Sequence, residues 1–111
     1  MSGMASAILQ MHRSFIRIHA LSLAVQEGEV YGLQIRDRLA RYGYSVSPGT
    51  LYPVLHELEA GELLKSRNRV VGGKNRRYYK ATPRGCEFLL HMKPLIRELA
   101  DVLLNTKLPC D

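Results

Sequence analysis

SPGTLYPVLHELEAGELLKSRNRVVGGKNRRYYKATPRG, residues 47–85, joins two periodicities with no linker between them. In the first half Leu51, Leu55 and Leu58 step by four and three, the spacing of one helix face. Ser47 and Pro48 read as its start, with the hydroxyl accepting from a free first-turn amide and proline where its missing N–H costs nothing. Gly61 closes it. Pro53 is awkward, because inside a helix it removes a hydrogen bond and crowds the carbonyl four residues back. Either the first turn is distorted, or the regular helix begins at Thr50 with Pro53 still in its first turn. The face opposite the leucines carries Gly49, Thr50, Tyr52, Pro53 and His56. In the second half LLKSRNRVV and NRRYYKAT are rich in Val, Tyr and Thr, and Gly72-Gly73-Lys74 between them predicts a hairpin. Strand alternation points one of Tyr78 and Tyr79 inward and the other outward.

Upstream, Val30, Leu33, Ile35 and Leu39 predict a short helix with Gln34, Arg36, Asp37 and Arg38 toward solvent, stopped by Gly43. Before it, Ile8, Met11, Phe15, Ile18 and Val25 trace a stripe on a long helix from Ser6 to Glu27, ended by Gly28. Met1–Gly3 precede a second methionine, Met4, at which a natural chain could also start. Downstream, Thr82-Pro83 repeats the cap-then-proline start. Phe88, Met92, Leu95, Leu99 and Val102 then step by four and three, with Leu89, Ile96 and Leu103 as a second stripe beside them. Two adjacent stripes exceed what one small domain can cover, so part of this face is expected to meet another chain. Pro94 should kink or split this helix.

The order helix, helix, helix, basic hairpin, helix is that of a winged helix. The expected fold is mainly α with a small β-hairpin (α+β). Residues 4–82 would form a winged helix-turn-helix DNA-binding domain and 83–105 a long C-terminal dimerisation helix. In such a domain the third helix enters the major groove and the hairpin lies along the neighbouring backbone.

Charge supports a polyanion partner. The 111 residues carry a formal +6. Eight cations (Lys65, Arg67, Arg69, Lys74, Arg76, Arg77, Lys80, Arg84) fall between 65 and 84 with no acid among them, while the other 91 residues hold eight basic and ten acidic side chains. Unbalanced cations repel one another unless a polyanion is bound, so this segment is expected to touch phosphate. The competing reading is a solvated charged face.

Other classes find little support. The chain is too short for a separate catalytic domain, the serines have no GxSxG setting, and no glycine loop is built to cradle phosphate. His12, His19, His56 and His91 are scattered and Cys86 and Cys110 are lone, so no metal, disulfide or cofactor is expected. No apolar run approaches the ~20 residues that span a bilayer, and the N-terminus has no secretory pattern. A cytoplasmic location without membrane attachment is expected.

The motifs also carry a resemblance. YGLQIRDRL, then SPGTLYPVLHELEAGELL, then GGKNRRYYKATPRG resemble the PadR family of transcriptional regulators over about residues 31–85. The resemblance implies a homodimer in which the C-terminal helix packs with the first helix of the other subunit. It also implies repression of nearby genes, relieved by a small aromatic or lipophilic effector. Carried over by position, the DNA-facing residues would be Ser47, Gly49, Thr50, Tyr52 and Pro53 on the third helix and Gly73, Lys74, Arg76 and Arg77 in the wing, with Tyr31 and Tyr79 as supports. His56, on the same helix face, joins the DNA candidates. Met11, Phe15, Phe88, Met92, Leu95, Leu99 and Val102 are the dimer candidates. The chain resembles the shorter members, with one C-terminal helix, and it has no tryptophan, so a ligand mode that stacks planar molecules between tryptophans does not transfer. The expected function is a sequence-specific regulator on double-stranded DNA, with a pseudo-palindromic operator of half-sites ~10 bp or a multiple apart. The alternative is a winged-helix module binding RNA or an acidic protein.

Overall fold

The computed structural model describes residues 3–110. Met1 and Ser2, ahead of the second methionine, lie outside the described residues. Helix α1 runs Gly3–Glu27, strand β1 Val30–Tyr31, α2 Gly32–Arg41, α3 Pro48–Ala60, β2 Leu64–Val71, β3 Lys74–Ala81 and α4 Pro83–Leu104. One antiparallel sheet has the order β1-β3-β2. The α+β winged-helix architecture is as expected, with one added element. Val30, read above as helical, is in β1, pairing with Tyr79 while Tyr31 pairs with Tyr78.

The tyrosine pair faces opposite sides of the sheet as alternation predicts, and the two-residue strand adds cover to the outer one. With β1 on one side and β2 on the other, β3 is the central strand, and both Tyr78 and Tyr79 are buried. Tyr79 enters the core. Tyr78 lies on the other face, where the Tyr31 ring meets it edge-on at 5.4 Å and the Arg69 guanidinium covers it.

The core gathers Ile16, Ala20, Leu21, Leu23 and Ala24 of α1 with Ile35, Leu39, Val46, Leu51, Val54, Leu55, Leu58, Leu64 and Tyr79. The α1 stripe chosen from periodicity is therefore not the one facing the core. Ile8, Met11, Phe15 and Val25 are exposed, because the core side of α1 is built partly of alanines that let α3 and the sheet approach closely. Leu33, expected inside, is also exposed, while Ile35 and Leu39 are fully buried.

The helix ends divide the same way. Gly43, at φ +89°, ends α2 as expected. The end of α3 differs, because the left-handed position belongs to Glu62, at φ +63°, and not to Gly61. The Glu62 amide donates to the Glu59 carbonyl and the Leu63 amide to that of Leu58, both at 2.9 Å, which closes the helix in a Schellman motif. At the start of α3 the Ser47 hydroxyl makes no bond to a backbone amide and instead donates to the Thr50 hydroxyl at 3.4 Å. The Thr50 and Leu51 amides both reach the Ser47 carbonyl, so the first turn is tightened. Helix α3 begins at Pro48, and Pro53 sits in its second turn on the exposed side. The capping bond predicted for Thr82 is present, its hydroxyl accepting from the Gly85 amide at 3.0 Å.

Helix α4 continues through Pro94, so of the expected kink or split the split does not occur. Its start docks tightly on the body. The Thr82 amide donates to the Leu63 carbonyl at 3.0 Å, its hydroxyl donates to the Glu62 carbonyl at 2.6 Å, and a Cβ on Gly85 would collide with the Leu63 oxygen. Beyond this junction α4 is little covered, and Gly85 is its only buried residue.

Candidate nucleic-acid interface

Because Leu51, Val54, Leu55 and Leu58 anchor α3 to the core, the helix must present Gly49, Tyr52, Pro53 and His56 to solvent, with Ser47 exposed at its cap and Thr50 half-buried. Tyr52 does not swing freely. Its ring lies on Gly32, where an added Cβ would come within 3.2 Å of it, so the buried glycine at the start of α2 is what seats this tyrosine.

The wing is pinned by Gly72 and Gly73, at φ +58° and +76°, the backbone of a two-residue hairpin turn that side-chain-bearing residues rarely adopt. Lys74 pairs with Val71 as the first residue of β3. Register then assigns each cation to a face. Lys65, Arg67, Arg69, Lys74, Arg76 and Lys80 share the face with Tyr31 and Tyr78, and Arg77 points to the other with Ser66 and Tyr79.

The two neighbouring wing arginines therefore do different things. Arg76 lies over the Tyr31 ring, 4.6 Å from its centre, with no carboxylate partner among the described residues. Arg77 is tied down: its Nε donates to the Ser66 hydroxyl at 3.0 Å and a terminal nitrogen donates to Glu59 Oε1 at 3.3 Å. Ser66 donates to Glu59 Oε2 through both its amide, at 3.0 Å, and its hydroxyl, at 2.6 Å. The Ser66 hydroxyl bond, chiefly, holds the Glu59 carboxyl below its ordinary range against the upward push of burial, and the Ser66 amide and Arg77 add to the lowering. This knot fixes the wing to the C-terminal turn of α3.

Tyr31, Gly32, Tyr52, Lys74, Arg76 and Arg77 line one groove of about 300 Å³ between wing and helices. Ser47, Gly49, Pro53 and His56 lie along α3 outside it. Two features escaped the sequence reading: the Glu59–Ser66–Arg77 knot and Glu29. Glu29 accepts two bonds from Arg67, at 2.6 and 2.8 Å, and lies 3.7 Å from Arg69, and the Arg67 bond first of all lowers its carboxyl. Arg84 pairs with Glu62 at 3.0 Å. The basic segment is thus partly neutralised by acids from outside it, which corrects the picture of eight unbalanced cations. Lys65, Lys74, Arg76 and Lys80 remain without an ion pair among the described residues.

The dimer candidates also separate. Met11, Phe15, Leu95, Leu99 and Val102 face solvent, whereas Phe88 and Met92 are half-buried in a groove shared with Arg17, Leu21 and Leu58 of the same chain.

The model of the PadR-like transcriptional regulator family matches residues 21–90, which hold α2, α3 and the wing. This chain belongs to that family. It is 46% identical over 96 residues, 86% of its length and 89% of the relative's, to a transcriptional regulator of Mycobacterium tuberculosis. Among solved structures it is similar to a PadR-like transcription factor from Bacteroides fragilis (TM-score 0.77, 28% identity, covering 88% of this chain and 95% of the other). A PadR family regulator from Eggerthella lenta is similar over 94% of both chains (TM-score 0.75, 30% identity). This PadR-like chain is accordingly a winged-helix DNA-binding regulator of transcription and not an enzyme. Among its described residues no helix is long and apolar enough to cross a membrane.

Proposed function

We propose that the chain acts as a homodimeric, sequence-specific repressor on a pseudo-palindromic operator, released by a small aromatic or lipophilic effector. The observation that carries this reading is the uncovered apolar surface of α1 and α4. Met11, Phe15, Leu95, Leu99 and Val102 are each more than half exposed, and Ile96 and Leu103 extend the patch. A second copy packing its own α1 and α4 across a two-fold axis would remove this hydrocarbon from water. Phe88 and Met92 would support the interface from beneath. Residues 83–105 would then serve dimerisation and 4–82 DNA.

In the bound state Ser47, Gly49, Thr50, Tyr52, Pro53 and His56 meet the major groove, and Gly73, Lys74 and Arg76 meet the adjacent backbone. Arg77 holds the wing, and Tyr31 holds Arg76 in place. The effector would enter the groove of about 540 Å³ between α1 and α4, lined by Ile18, Val25, Leu89, Leu90 and Ile96. His19 is also among its lining residues. Binding would shift the population of dimers toward a different spacing of the two α3 helices and weaken DNA affinity. A regulator of this kind works in the cytoplasm.

The test is selection of genomic fragments in solution against excess non-specific competitor, with a salt titration of the winner and sedimentation of the protein alone. An inverted repeat in the winner and a dimer in sedimentation are the expected results. Affinity that follows charge alone, with no winning fragment, would replace the repressor by a module that binds RNA or an acidic protein.

A further inference from the structure

The outer face of the sheet, turned away from the core, is built against its own stability. Register sets Lys65 directly opposite Lys80 and Arg69 directly opposite Arg76. Like charges facing one another across antiparallel strands destabilise the pair, and neither lysine has an ion pair among the described residues. Glu29 is the only carboxylate ion-paired to this face among those residues; it pairs with Arg67 and Arg69 and reaches Lys80 only through space.

Two of the cations are also held in fixed positions. Arg69 lies 4.6 Å from the centre of the Tyr78 ring and Arg76 lies 4.6 Å from that of Tyr31, and the two rings touch each other edge-on. A guanidinium stacked on a ring keeps its N–H donors in its own plane, directed outward for an anion. The strip is continuous with the groove beside α3, because Tyr31, Lys74 and Arg76 belong to both. From Lys74 to Lys80 it extends about 20 Å, the length of about six base pairs of duplex.

We infer that this outer face is a second polyanion-binding surface, a rail for the phosphates of duplex DNA flanking the stretch read by α3, with Lys65, Arg69 and Lys80 as its contacts. The inference rests on the DNA-bound reading above and extends it to residues outside the recognition helix and wing tip. Contacts to phosphate carry no sequence information, so the rail adds affinity that grows with flank length and not with flank sequence.

The experiment uses the tightest fragment from the genomic selection, trimmed to its protected core, and the same core with about eight base pairs of arbitrary sequence added on each side. Wild type is compared with Lys65→Gln/Lys80→Gln. Flanks should tighten wild type by about tenfold and steepen its salt slope by ~0.9 per phosphate contact. The double variant should lose most of that gain and bind the trimmed core within about twofold of wild type. Its thermal midpoint should match or exceed wild type, since a repulsive pair has been removed. Flanks that tighten both proteins alike, or neither, would overturn the rail while binding to the core left the DNA reading standing. If wild type prefers no fragment at all, the underlying reading fails and the rail fails with it.

Discussion

Alternate residues of β3 belong to two different molecules in effect, one inward and one outward. Tyr79 and Arg77 face the helices, where one is sunk in the core and the other is tied to Glu59 and Ser66. Tyr78, Arg76 and Lys80 face outward with Tyr31, where rings carry guanidiniums and the lysines have no ion pair among the described residues. The lesson is that composition alone cannot assign a role to an arginine in RRYYK. The parity of its position within the strand does so, because it decides whether the nearest partner is the Glu59 carboxylate or an aromatic ring on the outer face.

The largest effect should come from breaking the inner face. Tyr79→Ala removes a core ring and is expected to cost about 3–5 kcal/mol. Tyr78→Ala, whose ring packs on Tyr31 and Arg69 outside the core, should cost about 1–3 kcal/mol. Urea denaturation of both variants measures the difference, and equal losses would erase the distinction between the faces.

The arginines give a smaller but sharper contrast. Arg77→Ala should lower stability by about 0.5–1 kcal/mol, because the side chain is half exposed and solvent screens its ion pair, and leave the salt slope of DNA binding unchanged. Arg76→Ala should leave stability nearly untouched and flatten that slope by ~0.9. The reverse result would mean that the knot opens on DNA and that Arg77 is the phosphate contact.

The smallest expected effect is a pH dependence. A carboxyl that titrates lower in the folded than in the unfolded chain contributes stability that is complete above its unfolded value. That stability is then lost as pH falls through the folded value. Glu59 and Glu29 are both lowered from 4.5, so both lose their contribution below that pH. Ser66→Ala removes the chief cause at Glu59 and should flatten the fall of the thermal midpoint between pH 5 and pH 3. Arg67→Ala acts on Glu29, whose partner is more exposed, and should flatten it less. Equal flattening would show that burial of the knot adds nothing.

The hairpin was legible because Gly72-Gly73 admits few turns, and once the turn is placed the whole register of β2 on β3 follows, including Arg69 against Arg76. The recognition helix was legible from three leucines. What the sequence hid has a common physical cause, namely partners brought from far along the chain. Val30–Tyr31 is too short to announce a strand, yet it turns β3 from an edge into a centre and buries Tyr78. Glu29, Glu59 and Glu62 lie outside the basic segment and meet it only after folding. On α1 the larger side chains drew the periodicity, while the core side is marked by Ala20 and Ala24, which signal close packing only when the neighbour is known. Pro94 looked like a break because its ring forbids one hydrogen bond, but at an exposed position the carbonyl it frees can be met by water.

Leu63 bears on how the molecule could transmit force. Its amide finishes the cap of α3 and its carbonyl accepts from the Thr82 amide at the cap of α4, with Gly85 pressed against the same oxygen. A single peptide-long hinge pin, and not a slack tether, therefore couples α3 to the helix bearing the apolar patch. A tilt of α4 at a subunit boundary would be felt at the end of α3 within the length of one residue.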